Sequence, residues 1–92
     1  MNSENSEGTA KAVPFLMILI VGMSKQELII LGKAIRDKRE MQHLTQVELA
    51  SKAGVDRNYI GMVERGERNP SYLSLQKIAQ GLGMSVNELI KP

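Results

Sequence analysis

The sequence contains no cysteine and no tryptophan, and its aromatic residues are limited to one phenylalanine and two tyrosines. Without cysteine, the chain can form neither a disulfide framework nor a thiolate metal site. The core must therefore be built from aliphatic side chains, which make up most of the 42% of residues that are hydrophobic. A chain without cysteine fits a reducing, cytoplasmic setting, and this is the location that we expect.

Sequence signatures of catalysis are also missing. The single histidine, His43, has no cluster of Asp, Glu or Cys around it and is interpreted as a turn residue. No serine stands in a recognisable nucleophile motif, and no glycine-rich phosphate loop follows a predicted strand. A chain of 92 residues forms one domain with a modest core, without a separate catalytic or ligand domain. We therefore expect a protein that is not an enzyme and that uses no cofactor, metal or small-molecule ligand.

The charge balance is only weakly basic, but it is uneven along the chain. Twelve Lys and Arg against ten Asp and Glu give a net charge of +2 and a pI near 9.1. Residues 23–92 contain 11 basic and 8 acidic residues, a net charge of +3, whereas residues 1–22 contain one lysine and two glutamates, a net charge of −1. The basic excess in the C-terminal part favours a polyanionic partner.

The most informative stretch is residues 45–66, TQVELASKAGVDRNYIGMVERG, which predicts two short helices joined by a tight turn. Thr45 begins a capping box, so a helix starts at the next residue, and Gly54 ends it in a left-handed conformation. Asp56 is a good N-cap for the second helix, which Gly66 ends. Two short helices across a glycine-containing turn are typical of a helix-turn-helix.

A wider pattern surrounds this stretch. The segments LGKAIRDKRE, LTQVELASKAGVDRNYI, VERGERNPS and LQKIAQGLGMSVNELI follow one another at a spacing that resembles the Cro/CI-type helix-turn-helix family, also called the xenobiotic-response-element family. Within that family, DRNYI followed by VERGERN is most similar to the controller proteins of restriction-modification systems. The resemblance implies an all-α fold, a compact five-helix domain like that of lambda repressor, with double-stranded DNA as its partner.

The remaining helices are predicted from serine caps. Capping boxes that begin at Ser24 and Ser85 predict helices over residues 25–41 and from residue 86 to near the C-terminus. Ser71 is a single cap for a helix over residues 72–82. We assign residues 24–92 to the helix-turn-helix DNA-binding domain and residues 1–23 to an N-terminal extension.

The extension consists of a polar tail, residues 1–12, followed by an apolar run, residues 13–23, VPFLMILIVGM. The run is shorter than the roughly 20 residues of a membrane-spanning helix, so no membrane partner is expected. Three interpretations remain open: an ordered element that covers a dimer surface, a buried extension of the core, or sequence upstream of a start at Met23. Because an unpaired apolar strand aggregates, we expect the run to be paired or buried, with a second copy of the chain as the favoured partner.

The second helix of the pair is the predicted recognition helix, and its side chains that point away from Ile60 and Val63 are predicted to face the DNA. Arginine can pair with guanine O6 and N7, asparagine with adenine N6 and N7, and methionine with a thymine methyl group. The predicted base contacts are Arg57, Asn58, Tyr59, Gly61 and Met62. The predicted phosphate contacts are Gln46, Lys52, Arg68 and Asn69.

The family resemblance also implies a structural pair. An arginine at the position of Arg39 pairs, in the family, with the glutamate that matches Glu64, and this pair ties the first helix to the recognition helix. Removing one partner of such a pair when it is buried costs roughly 3–5 kcal/mol.

We expect the chain to act as a homodimer on an inverted-repeat operator, regulating transcription near a promoter. One short recognition helix reads too few base pairs to give a useful specificity against a genome of competing sites. The dimer interface is predicted to contain Val86, Leu89 and Ile90. The alternative function is an antitoxin-like protein-interaction module that carries a helix-turn-helix domain.

Overall fold

Capping residues divide the chain into its helices. The structure, a computed structural model, describes residues 22–91, and five α-helices lie within that part of the chain. Each helix begins directly after the Ser, Thr or Asp that the sequence predicts as its N-cap, and each cap side chain accepts a hydrogen bond from a backbone N–H of the first turn. The predicted all-α, five-helix fold is confirmed. Its helices are α1 (Lys25–Met41), α2 (Gln46–Ala53), α3 (Arg57–Glu64), α4 (Tyr72–Gly81) and α5 (Val86–Ile90).

The first four helices all end in the same way, with one residue in the left-handed region just after the helix. The N–H of the next residue then donates to a carbonyl five residues earlier, which completes a Schellman motif. Glycine takes the left-handed position after α2, α3 and α4, but His43, with a φ of 59°, takes it after α1. An L-residue pays a steric cost in this conformation, so the histidine is tolerated here at some expense of stability.

The core is aliphatic, as the composition predicts. Every helix contributes at least one side chain that is fully buried, and α1 packs on α3 and α5 while α2 packs on α3 and α4. Close packing of this kind fixes the relative positions of the helices, because interiors have few voids into which a side chain can shift. The fully buried side chains are Ile35, Leu49, Ile60, Val63, Ile78 and Leu89.

Helix α1 approaches α3 through a glycine. A Cβ atom added to Gly32 would lie 2.4 Å from the carbonyl oxygen of Val63 and 2.5 Å from that of Glu64. Such distances are far below van der Waals contact, so only glycine allows α1 to lie this close to the end of α3. The contact fixes α3 on the long first helix at its C-terminal end.

The last helix corrects one sequence-based expectation. Leu89 has no exposed surface and Val86 is only 8% exposed, because both side chains belong to the core of the protomer. Of the three residues predicted to form the dimer interface, only Ile90 retains an appreciable exposed fraction. Since α5 packs against α1 and α4, its apolar face is used within the chain. The predictions for residues 1–21 lie outside the described residues.

Candidate nucleic-acid interface

Helix α3 has one buried face and one exposed face. Ile60 and Val63 point into the core, whereas Arg57 and Asn58 are exposed and Met62 is half-buried. The cap residue Asp56 accepts a hydrogen bond of 2.7 Å from the N–H of Asn58, which fixes the first turn. We call the side of α3 opposite Ile60 and Val63 its outer face. This face presents three of the five residues that the sequence predicts as base contacts.

The end of α3 is held by a buried carboxylate. Glu64 accepts hydrogen bonds from Nε and Nη2 of Arg39, at 2.6 and 3.0 Å, and from Nε2 of Gln46, at 3.0 Å. The Arg39 and Glu64 side chains are only 11% and 3% exposed. The structure thus forms the pair that the family resemblance implies, and it adds a third member from α2.

All three guanidinium nitrogen atoms of Arg39 donate hydrogen bonds. Besides its two bonds to Glu64, Arg39 donates from Nη1 to the carbonyl oxygen of Leu44, at 2.8 Å. The hydrogen bond to Glu64, aided by the charge of that carboxylate, raises the pKa of Arg39 above its ordinary value. The guanidinium therefore stays charged, and it connects α1, the loop before α2 and the end of α3.

Helix α2 presents its N-terminus beside this network. Thr45 Oγ1 accepts from the N–H of Glu48 at 3.0 Å, and Glu48 accepts from the N–H of Thr45 at 2.8 Å, so the predicted capping box is formed. The N–H groups of the first two residues of α2 have no partner within the helix, and such a terminus is suited to a phosphate. Gln46 lies there as predicted, with its side-chain amide directed to Glu64, and Lys52 is exposed in the last turn.

Two of the predicted contact residues lie against each other. The guanidinium carbon of Arg68 lies 5.5 Å from the centre of the Tyr59 ring, a distance that permits a cation–π interaction. The tyrosine is half-buried and packs against the core, whereas Arg68 and Asn69 are exposed in the loop after α3. Tyr59 therefore positions Arg68 and is less exposed than Arg57 and Asn58.

Gly61 and Arg65 form a part of the outer face that the sequence analysis did not resolve. Gly61 was predicted to touch a base, but its backbone is buried, and a Cβ atom added to it would lie 3.1 Å from Nη1 of Arg65. The Arg65 guanidinium covers this glycine, so a side chain reaches outward where the backbone does not. The signal that was missed is helical spacing, because Arg65 follows Arg57 by eight residues and Gly61 by four.

Arg65 is itself paired. Its Nε donates to Oε2 of Glu67 at 3.0 Å, and this hydrogen bond, with the charge of the carboxylate, raises the pKa of Arg65 above its ordinary value. Both side chains are more than half exposed. The outer face of α3 therefore carries two arginines, Arg57 and Arg65, of which the second has an acidic partner.

Residues 22–91 contain neither a cluster of metal ligands nor a membrane-spanning helix. No group of three or more His, Cys, Asp or Glu side chains in this range is placed to hold a metal ion. None of the five helices is long and apolar enough to cross a membrane.

Comparison with known proteins decides the family. The family model described as helix-turn-helix matches residues 35–89, which span α2, α3 and their neighbours. The chain belongs to the helix-turn-helix family. This confirms the resemblance that the sequence motifs indicate, and α2 and α3 are the two helices of the motif.

Controller proteins are among the relatives of this helix-turn-helix protein. The control protein C.SmaI of Serratia marcescens is 41% identical over 61 residues, which cover 66% of this chain and 73% of C.SmaI. The crystal structure of the restriction-modification controller protein C.AhdI from Aeromonas hydrophila matches with a TM-score of 0.68 and 39% identity, over 70% of this chain and 97% of that one. The match to the C.AhdI structure confirms the fold.

One similar structure contains DNA. The restriction-modification controller protein C.Esp1396I, solved as a tetramer in complex with its natural 35-base-pair operator, matches with a TM-score of 0.62 and 32% identity, over 72% of this chain and 96% of that one. Among the first curated relatives, the share of the relative that this chain covers ranges from 41% to 82%.

Proposed function

We propose that the protein is a sequence-specific, double-stranded DNA-binding transcriptional regulator that acts in the cytoplasm as a homodimer on an inverted-repeat operator. The observation that carries this proposal is the outer face of α3, where Arg57 and Asn58 are exposed on a helix whose other face is buried. An α-helix fits the major groove of DNA, where base edges present distinct donor and acceptor patterns.

The buried network explains how such a helix keeps its orientation. Glu64 joins the end of α3 to α1 through Arg39 and to the N-terminus of α2 through Gln46. In this motif the first helix contacts the DNA backbone while the second lies in the groove, so the angle between them sets the register of reading. A fixed angle lets phosphate contacts from α2 align the base contacts from α3.

The comparisons support the same function. C.Esp1396I has been solved on its operator, and an immunity repressor of Bacillus phage phi105 is 39% identical to this chain over 59 residues. Controllers and repressors share one step, occupation of an operator, and this is the step that we propose for the present protein. Regulation by occupation requires no catalytic group, and we therefore propose a regulator that is not an enzyme.

For the dimer, we propose a surface on α4 and the adjoining part of α5. Tyr72 and Leu73, in the first turn of α4, are exposed, and Tyr72 and Met84 line a groove between α4 and α5. Helix α4 packs on α2 and α5, whereas α3 packs on α1 and α2, so this surface leaves the outer face of α3 accessible. Ile90, on α5, is half-buried and is the member of the predicted trio that remains partly exposed.

Enrichment from a random pool of duplexes tests the function directly. We expect the purified protein to enrich an inverted repeat whose half-sites are centred about 10 base pairs apart, one turn of duplex. Arg57→Ala should cost about 1–3 kcal/mol on this site and relax the preference at one position in each half-site. Lys52→Ala should weaken binding to all sequences alike, because a phosphate contact carries no sequence information.

Arg36→Ala is the matched control, because Arg36 is an exposed arginine on α1 and its removal lowers the net charge equally. It should leave the preferred sequence unchanged. Equal losses for Arg57→Ala on the enriched site and on random duplex would contradict the base-reading role. Failure of the wild-type protein to enrich any duplex would contradict the proposed function itself.

A further inference from the structure

An acidic residue lies beside the proposed DNA-reading surface, where electrostatics favours basic residues. Glu67 follows α3 by three residues, and its Oε2 lies 3.0 Å from Nε of Arg65. The nearby acids have other partners: Asp56 caps α3 through the N–H of Asn58, and Glu64 is buried with Arg39. Glu67 is exposed and bonds a residue of the outer face, so its charge is directed to that surface.

Arg65 is the C-cap residue of α3 and lies at the C-terminal end of this surface. At about 100° per residue, Arg65 and Asn58 point in directions that differ by only about 20° around the axis of α3. The guanidinium lies across Gly61, with Nη1 3.1 Å from the position of a Cβ atom, and Gln46 Oε1 lies 3.6 Å from the same position. The arginine therefore lies between the outer face of α3 and the N-terminus of α2, where a DNA backbone or base edge would approach.

We infer that Glu67 competes with DNA for Arg65 and so lowers the affinity of the protein for its operator. The inference rests on the proposed function, since it concerns the same surface. In the unbound protein Glu67 neutralises Arg65; on the duplex, a phosphate or a guanine edge takes the place of the carboxylate, and the broken ion pair is a cost that the complex must offset.

DNA can replace Glu67 as the partner of Arg65 because the ion pair between these two residues is weak. Exposed ion pairs are screened by water and salt and contribute little to stability, so the carboxylate yields readily to the higher charge density of duplex DNA. Arg65 and Glu67 are joined by one hydrogen bond, from Nε, whereas the buried pair of Arg39 and Glu64 is joined by two. An arginine held in this way is preoriented over Gly61 but is not locked there.

The test is a comparison of binding affinities for the enriched operator duplex and for a random-sequence duplex of the same length. Glu67→Gln should bind both about two- to tenfold more tightly than the wild type, with a steeper dependence on salt, by up to about 0.9 in log–log slope per protomer. Glu40→Gln is the matched control. Glu40 forms an ion pair of similar exposure with Arg36 on α1, and its replacement by glutamine removes the same charge. It should change both affinities much less.

A double-variant cycle separates action through Arg65 from direct repulsion between Glu67 and DNA. If Glu67 acts through Arg65, Glu67→Gln should have little effect when Arg65 is already replaced by Gln. A full effect in that background, or no effect of Glu67→Gln in the wild-type background, overturns the inference while the proposed function stands. A wild-type protein that binds neither duplex overturns both.

Discussion

At the scale of single residues, the most consequential group is one carboxylate. Glu64 is the last residue of α3, and its partners Arg39 and Gln46 are 25 and 18 residues earlier in the sequence. The pairing with Arg39 was expected from the family resemblance, but the bond from Gln46 was not. Gln46, which is predicted to contact a phosphate, thus also helps to orient α3, the helix that is proposed to read bases. Its replacement should therefore change both the affinity for DNA and the orientation of α3.

Removal of Arg39 should leave Glu64 buried without its charged partner. We expect Arg39→Met to lower the free energy of unfolding by roughly 3–5 kcal/mol, measured by urea denaturation. The double variant Arg39→Met with Glu64→Leu should recover much of this loss, because two apolar side chains of similar volume need no charge compensation.

The exposed pair of Arg36 and Glu40 on the same helix provides the control. Arg36→Met should change the stability by less than about 1 kcal/mol, as is usual for surface pairs. If Arg39→Met were no more destabilising than Arg36→Met, or if Glu64→Leu gave no recovery, Glu64 would not depend on Arg39 as described.

At the scale of helices, the sequence predicted starts and ends with good accuracy because both depend on local chemistry. Each helix begins directly after its predicted N-cap, and these caps are Ser24, Thr45, Asp56, Ser71 and Ser85. Features that depend on distant residues were missed. The need for glycine at position 32 comes from a carbonyl of α3, about thirty residues further along the chain, and no local pattern indicates it.

Two of the capping boxes make helix stability depend on pH. The backbone N–H and the hydroxyl of Thr45 lower the pKa of Glu48, and those of Ser85 lower the pKa of Glu88. A carboxylate with a lowered pKa in the folded state stabilises the protein fully above its unfolded pKa, about 4.3, and loses this contribution as the pH falls through the folded value. The expected window of lost stability therefore lies below about pH 5.

Replacement by glutamine separates the charge from the hydrogen bond. Glu48→Gln can still accept from the N–H of Thr45, so the helix cap persists, but the titration is removed. We expect the urea midpoint of the variant to fall less than that of the wild type between pH 6 and pH 3, and that of Glu48→Gln with Glu88→Gln to fall least. Parallel curves for all three proteins would show that these caps do not contribute to the acid sensitivity.

At the scale of the whole molecule, the sequence predicted the number and order of helices and the position of the helix-turn-helix, but not which apolar faces are shared between helices. The stripe of α5 was expected to cover a partner, yet Leu89 is completely buried within the protomer. An amphipathic pattern shows that a face must be buried and does not say against what. The exposed apolar residues of α4 became apparent only once the packing of α2 on α4 was known.

Assembly can be tested on two exposed side chains that differ mainly in position. Leu73 on α4 is 61% exposed, and Ile30 on α1 is 59% exposed. If α4 carries the dimer surface, Leu73→Glu places a charge against a second copy of the chain, where it cannot be solvated, and dissociates the dimer. Ile30→Glu removes a similar apolar area elsewhere and should leave the dimer intact. Sedimentation velocity at micromolar concentration measures both.

DNA binding should also differ between Leu73→Glu and Ile30→Glu, because a monomer has only one recognition helix. We expect Leu73→Glu to retain weak binding to a single half-site but to lose the preference for an inverted repeat, whereas Ile30→Glu should bind the full operator like the wild type. Dissociation by Ile30→Glu would instead place the interface on α1. A Leu73→Glu protein that stays dimeric would exclude the α4 surface, since a standard interface buries about 800 Å² per partner and does not accept an unpaired charge near its centre.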